Sequence, residues 1–78
     1  MPRIFEKDGF SFFFYSNEHL PVHVHVRYGA GEAVFNIEDH IELRTSHGLK
    51  LQELSKAEDL VREHQNLIRE KWNEHLGG

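Results

Sequence analysis

Val22 to Tyr28 reads Val-His-Val-His-Val-Arg-Tyr, and this strict alternation is the part of the sequence best suited to chemistry. Alternate residues of a strand project to the same side, with Cα atoms about 6.6 Å apart. His23, His25 and Arg27 therefore form one row, and Val22, Val24 and Val26 form an apolar row behind it. Glu18 and His19 enter from the loop that ends at Pro21. Two imidazoles and a guanidinium supply a general base, a general acid and a cation for phosphate, the parts of a ribonuclease, with Tyr15 or Tyr28 as an assisting hydroxyl. The parity of Tyr28 turns it away from Arg27. The same His-x-His pair suits a divalent transition metal, with His19 or Glu18 as third ligand. A histidine-bearing face also serves as a structural polar layer or a protein-interaction surface, its rings bonded to backbone and carboxylates.

The elements that must position this row are short. Arg3 to Glu6 reads as a first strand, and Lys7-Asp8-Gly9 as a hairpin turn, Asp-Gly being a strong turn signal. Phe10 to Tyr15 is aromatic on both faces, as expected of a central strand covered on both sides. Ser16 to Pro21 is a polar loop, and the histidine strand follows it. Gly29-Ala30-Gly31 turns the chain into Glu32 to Ile37, where Ala33, Phe35 and Ile37 alternate with Glu32, Val34 and Asn36. Ile41 to Arg44 is a short fifth strand with Ile41 and Leu43 inward, and Thr45 to Gly48 closes the sheet.

Beyond Gly48 the period changes from 2 to 3.6. Leu51, Leu54, Ala57, Val61, Ile68 and Trp72 step by three or four residues, and Leu60 and Leu67 widen the stripe. Ser55-Lys56-Ala57-Glu58 fits a capping box, so the helix starts at Ser55 or already at Leu51. A straight helix from Leu51 to Leu76 would run about 39 Å at 1.5 Å per residue. A chain of this length has an expected radius of gyration of about 11 to 12 Å. The helix is therefore expected to break near His64-Gln65-Asn66, or to be covered by a partner. The fold expected is a single α+β domain over residues 1–78. A β-meander of about five short, mostly antiparallel strands (about residues 2–45) is followed by a helical segment (about 51–76), one long helix or two consecutive ones, packed on one face.

Composition bounds the function. With 78 residues the chain builds one modest core. Apolar burial at about 25 cal/mol per Å², set against roughly 1.5 kcal/mol of ordering entropy per residue, comes out near zero. A dense aromatic core, a metal or a partner chain must add to it. There is no cysteine, which excludes disulfides and thiolate metal sites and fits a reducing cytoplasm. No apolar run approaches the roughly 20 residues that cross a bilayer, and Met1-Pro2-Arg3-Ile4 lacks the apolar stretch of a signal peptide. A cytoplasmic protein without membrane contact is expected. The net charge of −4 builds in no general grip on nucleic acid. Seven histidines are the unusual feature; protonating all of them, from an ordinary pKa near 6.5, would swing the charge to about +3.

Tyr15-Ser16-Asn17-Glu18-His19-Leu20-Pro21-Val22-His23-Val24-His25-Val26-Arg27-Tyr28-Gly29 closely resembles the signature of a bacterial family known as domain of unknown function 4160. The Met-Pro-x-Ile start, the Phe-Phe-Phe-Tyr strand, the Glu-Ala-x-Phe strand and Lys71-Trp72-Asn73-Glu74 extend the resemblance over nearly the whole chain. One departure is Val22, where many relatives carry a second proline. The resemblance implies no established activity, and no cofactor is expected. It implies a partner, because such proteins are often encoded beside another small protein in arrangements resembling toxin–antitoxin pairs, and it suggests RNA chemistry. The favoured expectation is an interaction module that binds a small partner protein or a second copy of itself. Its functional surface is Glu18 to Arg27, with Tyr15, Glu18, His19, Pro21 and Tyr28 as binding residues. The rival is a ribonuclease-type toxin acting on RNA through His23, His25 and Arg27. A metal site on His23, His25 and His19 comes third.

Overall fold

The computed structural model describes residues 3–15 and 19–77. Asp8 and Gly9 both have positive φ (53° and 86°), the backbone of a tight hairpin turn, and they fold β1 (Arg3–Lys7) onto β2 (Phe10–Phe13). β3 (His23–Tyr28), β4 (Gly31–Ile37) and β5 (Ile41–His47) add in chain order, so the sheet is an antiparallel meander β1-β2-β3-β4-β5. Two helices, α1 (Leu51–Glu63) and α2 (Gln65–Trp72), pack on one face, and a π-helical turn (Asn73–Gly77) follows. Among the described residues no helix is long and apolar enough to cross a membrane.

The alternation of each strand decides which side the helices cover. Phe10 and Phe12 of β2, Val24 and Val26 of β3, and Ala33, Phe35 and Ile37 of β4 are buried together with Phe14. Ala57, Leu60 and Val61 of α1 and Ile68 and Trp72 of α2 close over them. The helical stripe thus packs on its own sheet. Phe5 stacks on Phe12 with ring centroids 4.3 Å apart, and His64 stacks on Phe5 at 4.2 Å.

His64 is where the helix breaks, within the expected segment. Its φ of −114° leaves the helical range, its backbone N–H donates to Leu60 O and Val61 O, and its Nδ1 lies 2.8 Å from Leu60 O. The break holds the radius of gyration at 11.4 Å and the longest extent at 35 Å.

Of the two expected starts, the helix takes the one at Leu51. Lys50 is the N-cap, and its backbone N–H donates to Glu53 Oε1 at 2.8 Å, so Ser55 sits exposed inside α1. Three expectations need correction. Leu51, placed on the apolar stripe by spacing, is 86 % exposed, and the stripe meets the core only from Leu54 onward. β5 runs on to His47, and Leu43 is half-exposed although it opposes Phe35. β2 is covered by helices on one face only; on the other, Phe13 is shielded by neighbouring side chains.

Both edge strands carry an extra residue. The pairing steps from Arg3↔Phe13 to Phe5↔Phe12, leaving Ile4 as the insertion in β1. It steps from Val34↔Thr45 to Phe35↔Leu43, leaving Arg44 as the insertion in β5. Bulges of this kind bend an edge strand and spoil it as a template for further pairing.

Gly31 opens β4 where no side chain fits. A Cβ there would stand 2.6 Å from Gly48 O and 2.6 Å from Leu49 Cδ2. Gly31→Ala should therefore cost about 1–3 kcal/mol, as overpacking does, seen as a lower urea midpoint. An unchanged midpoint would mean that the Gly48–Leu49 segment moves aside freely.

Candidate functional site

The face away from the helices carries His23, His25 and His47, and the strand registers arrange it in rows. Ser11, Arg27, Glu32 and His47 lie across from one another in one row, and Phe13, His25, Val34 and Thr45 in the next. His23, Asn36 and Glu42 form a third, at the end of the sheet where the polar loop joins β3. His23, His25 and Arg27 thus share the face opposite Val24 and Val26, one residue in each of the three rows.

A chain of ring contacts ties these side chains together. The Arg27 guanidinium lies over the Phe13 ring at 5.3 Å. Phe13 contacts His25 at 5.5 Å and Tyr15 at 5.6 Å, and Tyr15 meets His25 edge-on at 4.6 Å. His25 meets His23 at 5.3 Å, His23 meets Trp72 at 5.2 Å, and Trp72 meets Phe14 in the core at 5.2 Å. Exposure changes along this chain. His23 is only 4 % exposed, His25 is half-buried, and Tyr15 is 40 % exposed at the rim. Arg27 also pairs with Glu32 at 3.6 Å, an ion pair open to solvent and therefore of small energetic weight.

The start of β3 is held by backbone bonds. The Leu20–Pro21 peptide is cis. The Pro21 carbonyl lies 2.7 Å from His23 Nδ1; since a carbonyl only accepts, Nδ1 carries the proton in this contact. The Val22 N–H donates to Glu38 Oε2, and the Val22 carbonyl accepts from the Ile37 N–H at 2.9 Å. Glu38 in turn is fixed from α2, where Arg69 Nη2 donates to its carbonyl at 2.6 Å. Across the row from His23, the side-chain oxygen of Asn36 is buried and has no hydrogen-bond partner among the described residues.

The predicted binding residues divide. Tyr15 joins His23, His25 and Arg27 through the ring contacts, and Pro21 joins through its carbonyl. Tyr28 does not: its ring stacks on Phe10 at 4.3 Å and packs against the core, as its parity implied. His19 is exposed in the loop, next to Leu20 at 75 % exposure. Glu18 lies outside the described residues. Among the described residues no three histidine, aspartate or glutamate side chains gather as a metal-holding group. As placed, the described side chains of this face form a half-buried aromatic and imidazole surface flanked by two exposed arginines, each paired with a glutamate: Arg27 with Glu32 and Arg3, opposite Phe13, with Glu6.

Trp72, Glu38, Arg69, Asn36 and Phe13 were not among the candidates. Trp72 meets His23 from the far end of the chain, Glu38 reaches Val22 over a separation of 16 residues, and Arg69 reaches Glu38 over 31; no local pattern announces such contacts. The parity of Asn36 and Phe13 on their strands was the available signal.

The chain matches no curated protein and no solved structure. A family model, described as a domain of unknown function (DUF4160), matches residues 9–73, a span holding β2 to β5, both helices and the whole histidine strand. With its distinctive strand, loop and Trp72 all inside the matched region, the chain belongs to the DUF4160 family.

Proposed function

We propose that this chain is an interaction module, one component of a two-protein, toxin–antitoxin-like system of the bacterial cytoplasm, and that it binds its partner through Tyr15 and the Glu18 to Arg27 segment. The observation that carries the reading is the pattern of exposure around the histidines. His23 is 4 % exposed between Trp72 and His25, and Arg27 is engaged by Glu32 and Phe13, whereas Tyr15 and Leu20 stand out at the rim. A general base and a phosphate cation need to be reachable by substrate, whereas aromatic and aliphatic side chains at a rim are what a partner's pocket captures. Bulges on both edge strands favour docking on a face over addition of a strand.

The orphaned oxygen of Asn36 supports the same surface. An unsatisfied buried acceptor costs about 1–3 kcal/mol, and polar groups kept at such a cost cluster where function opposes stability. Asn36→Val should raise the stability of the isolated chain by about 1 kcal/mol, measured by urea unfolding. A lower midpoint would show that the amide makes a compensating bond in solution.

The partner to test is the protein encoded beside this chain, produced together with it and followed by size-exclusion chromatography and calorimetry. A stable complex is expected, with Tyr15→Ala and Leu20→Ala each weakening it about tenfold, or about 1.4 kcal/mol. Self-association without the second protein would make a second copy the partner. No complex of either kind would sink the reading.

The ribonuclease reading draws on one feature, a backbone-oriented His23 whose ring lies 5.3 Å from that of His25. Expression of the parent chain in a bacterial host should leave growth unchanged. Growth arrest lost in a folded His23→Gln/His25→Gln variant would replace the interaction reading with RNA cleavage.

A further inference from the structure

We propose that Glu38 and Arg69 are positioning residues for His23, holding its neutral imidazole as the Nδ1–H tautomer so that Nε2 carries the lone pair of the ring. The argument starts from one peptide plane. The Pro21 carbonyl and the Val22 N–H belong to the same planar unit, so fixing one fixes the direction of the other. The Glu38 carboxylate accepts from the Val22 N–H, and the Pro21 carbonyl on the opposite side of the plane meets His23 Nδ1 at 2.7 Å. The carboxylate thereby aims the carbonyl at the ring.

Glu38 is in turn held in place. It follows directly on β4, and Arg69 Nη2 grips its carbonyl at 2.6 Å from α2. Ile37, the last residue of β4, donates its N–H to Val22 O at 2.9 Å, closing the next plane along β3. Trp72 lies three residues beyond Arg69, on the same helix, and its ring sits 5.2 Å from that of His23. α2 therefore reaches His23 twice, once through the ring and once through Arg69, Glu38 and the Pro21–Val22 peptide. A carbonyl on Nδ1 fixes both the direction of an imidazole ring and its tautomer. Glu38 and Arg69 lie outside the histidine motif, and their role does not depend on whether the partner is a protein or RNA.

Long-range proton–nitrogen NMR spectra of the imidazoles, recorded where the rings are neutral, report the tautomer directly. The parent chain should show His23 with Nδ1 protonated. Glu38→Gln should keep that pattern, because its side-chain oxygen still accepts from Val22. Glu38→Ala and Arg69→Met should shift it toward a mixture of tautomers in chains whose amide spectra remain folded. A parent with Nε2 protonated would overturn the proposal without any variant. It would equally be overturned if both variants melted earlier with the tautomer unchanged, since that is the mark of a purely structural role. Should Glu38→Ala fail to fold, the parent and Arg69→Met decide the matter alone.

Discussion

The contact between Trp72 and His23 joins the two halves of this molecule, and much of the structure depends on it. A five-stranded sheet with helices on one side has a covered face and an open one. His23 belongs by parity to the open face, yet it is as buried as the core phenylalanines. The reason is its place at the beginning of β3, at the end of the sheet. There the indole, already edge-on to Phe14, also reaches the imidazole. The core thereby extends around the sheet end to the first residue of the histidine strand.

Trp72 can occupy that position because the helical segment bends. A straight rod over the same residues would exceed the 35 Å longest extent of the whole molecule. His64 absorbs the change of direction. Its side chain takes a carbonyl of the preceding turn, and its ring completes a stack with Phe5 and Phe12, so the joint is anchored to the first hairpin. α1 then follows β4 and β5 while α2 turns toward β1, carrying Ile68 and Trp72 over the sheet end. For a chain with so small a core, one ring stack serves both as packing and as the corner of the fold.

Local regularities made much of this legible in the sequence. Val24 and Val26 facing inward, His23, His25 and Arg27 facing outward, and the Asp8-Gly9 turn all follow from period and turn chemistry, and all are found. Excess helix length pointed to the break at His64. What escaped the sequence depends on distance or on competition. Spacing left the helix start open between Ser55 and Leu51; Glu53 closing on the Lys50 backbone decides for Leu51, whose side chain stays in solvent although it continues the apolar stripe. The Arg44 bulge shifts the end of β5 without any glycine or proline to mark it. The supports of His23 come from the β4–β5 turn and from α2, so they exist only once the meander and the helices have assembled.

The same architecture constrains how a partner can approach. A protein interface of ordinary size covers about 800 Å² on each side. Against a total accessible surface of 4867 Å², that is about one sixth of the molecule. Leu20 and Tyr15 alone are too small to supply it. The edges offer little, since Ile4 and Arg44 interrupt their ladders and charged side chains line them. The helical side is covered largely by the charged outer residues of α1 and α2. An interface centred on Tyr15 and Leu20 must therefore spread over the open sheet face, across the rows of Phe13, His25 and Val34 and of Arg27 and Glu32. His25 then lies near its middle and His23 beneath it, backed by Trp72. Under the proposed reading the histidines would set the shape and polarity of the floor of such an interface, and Tyr15 and Leu20 its apolar grip.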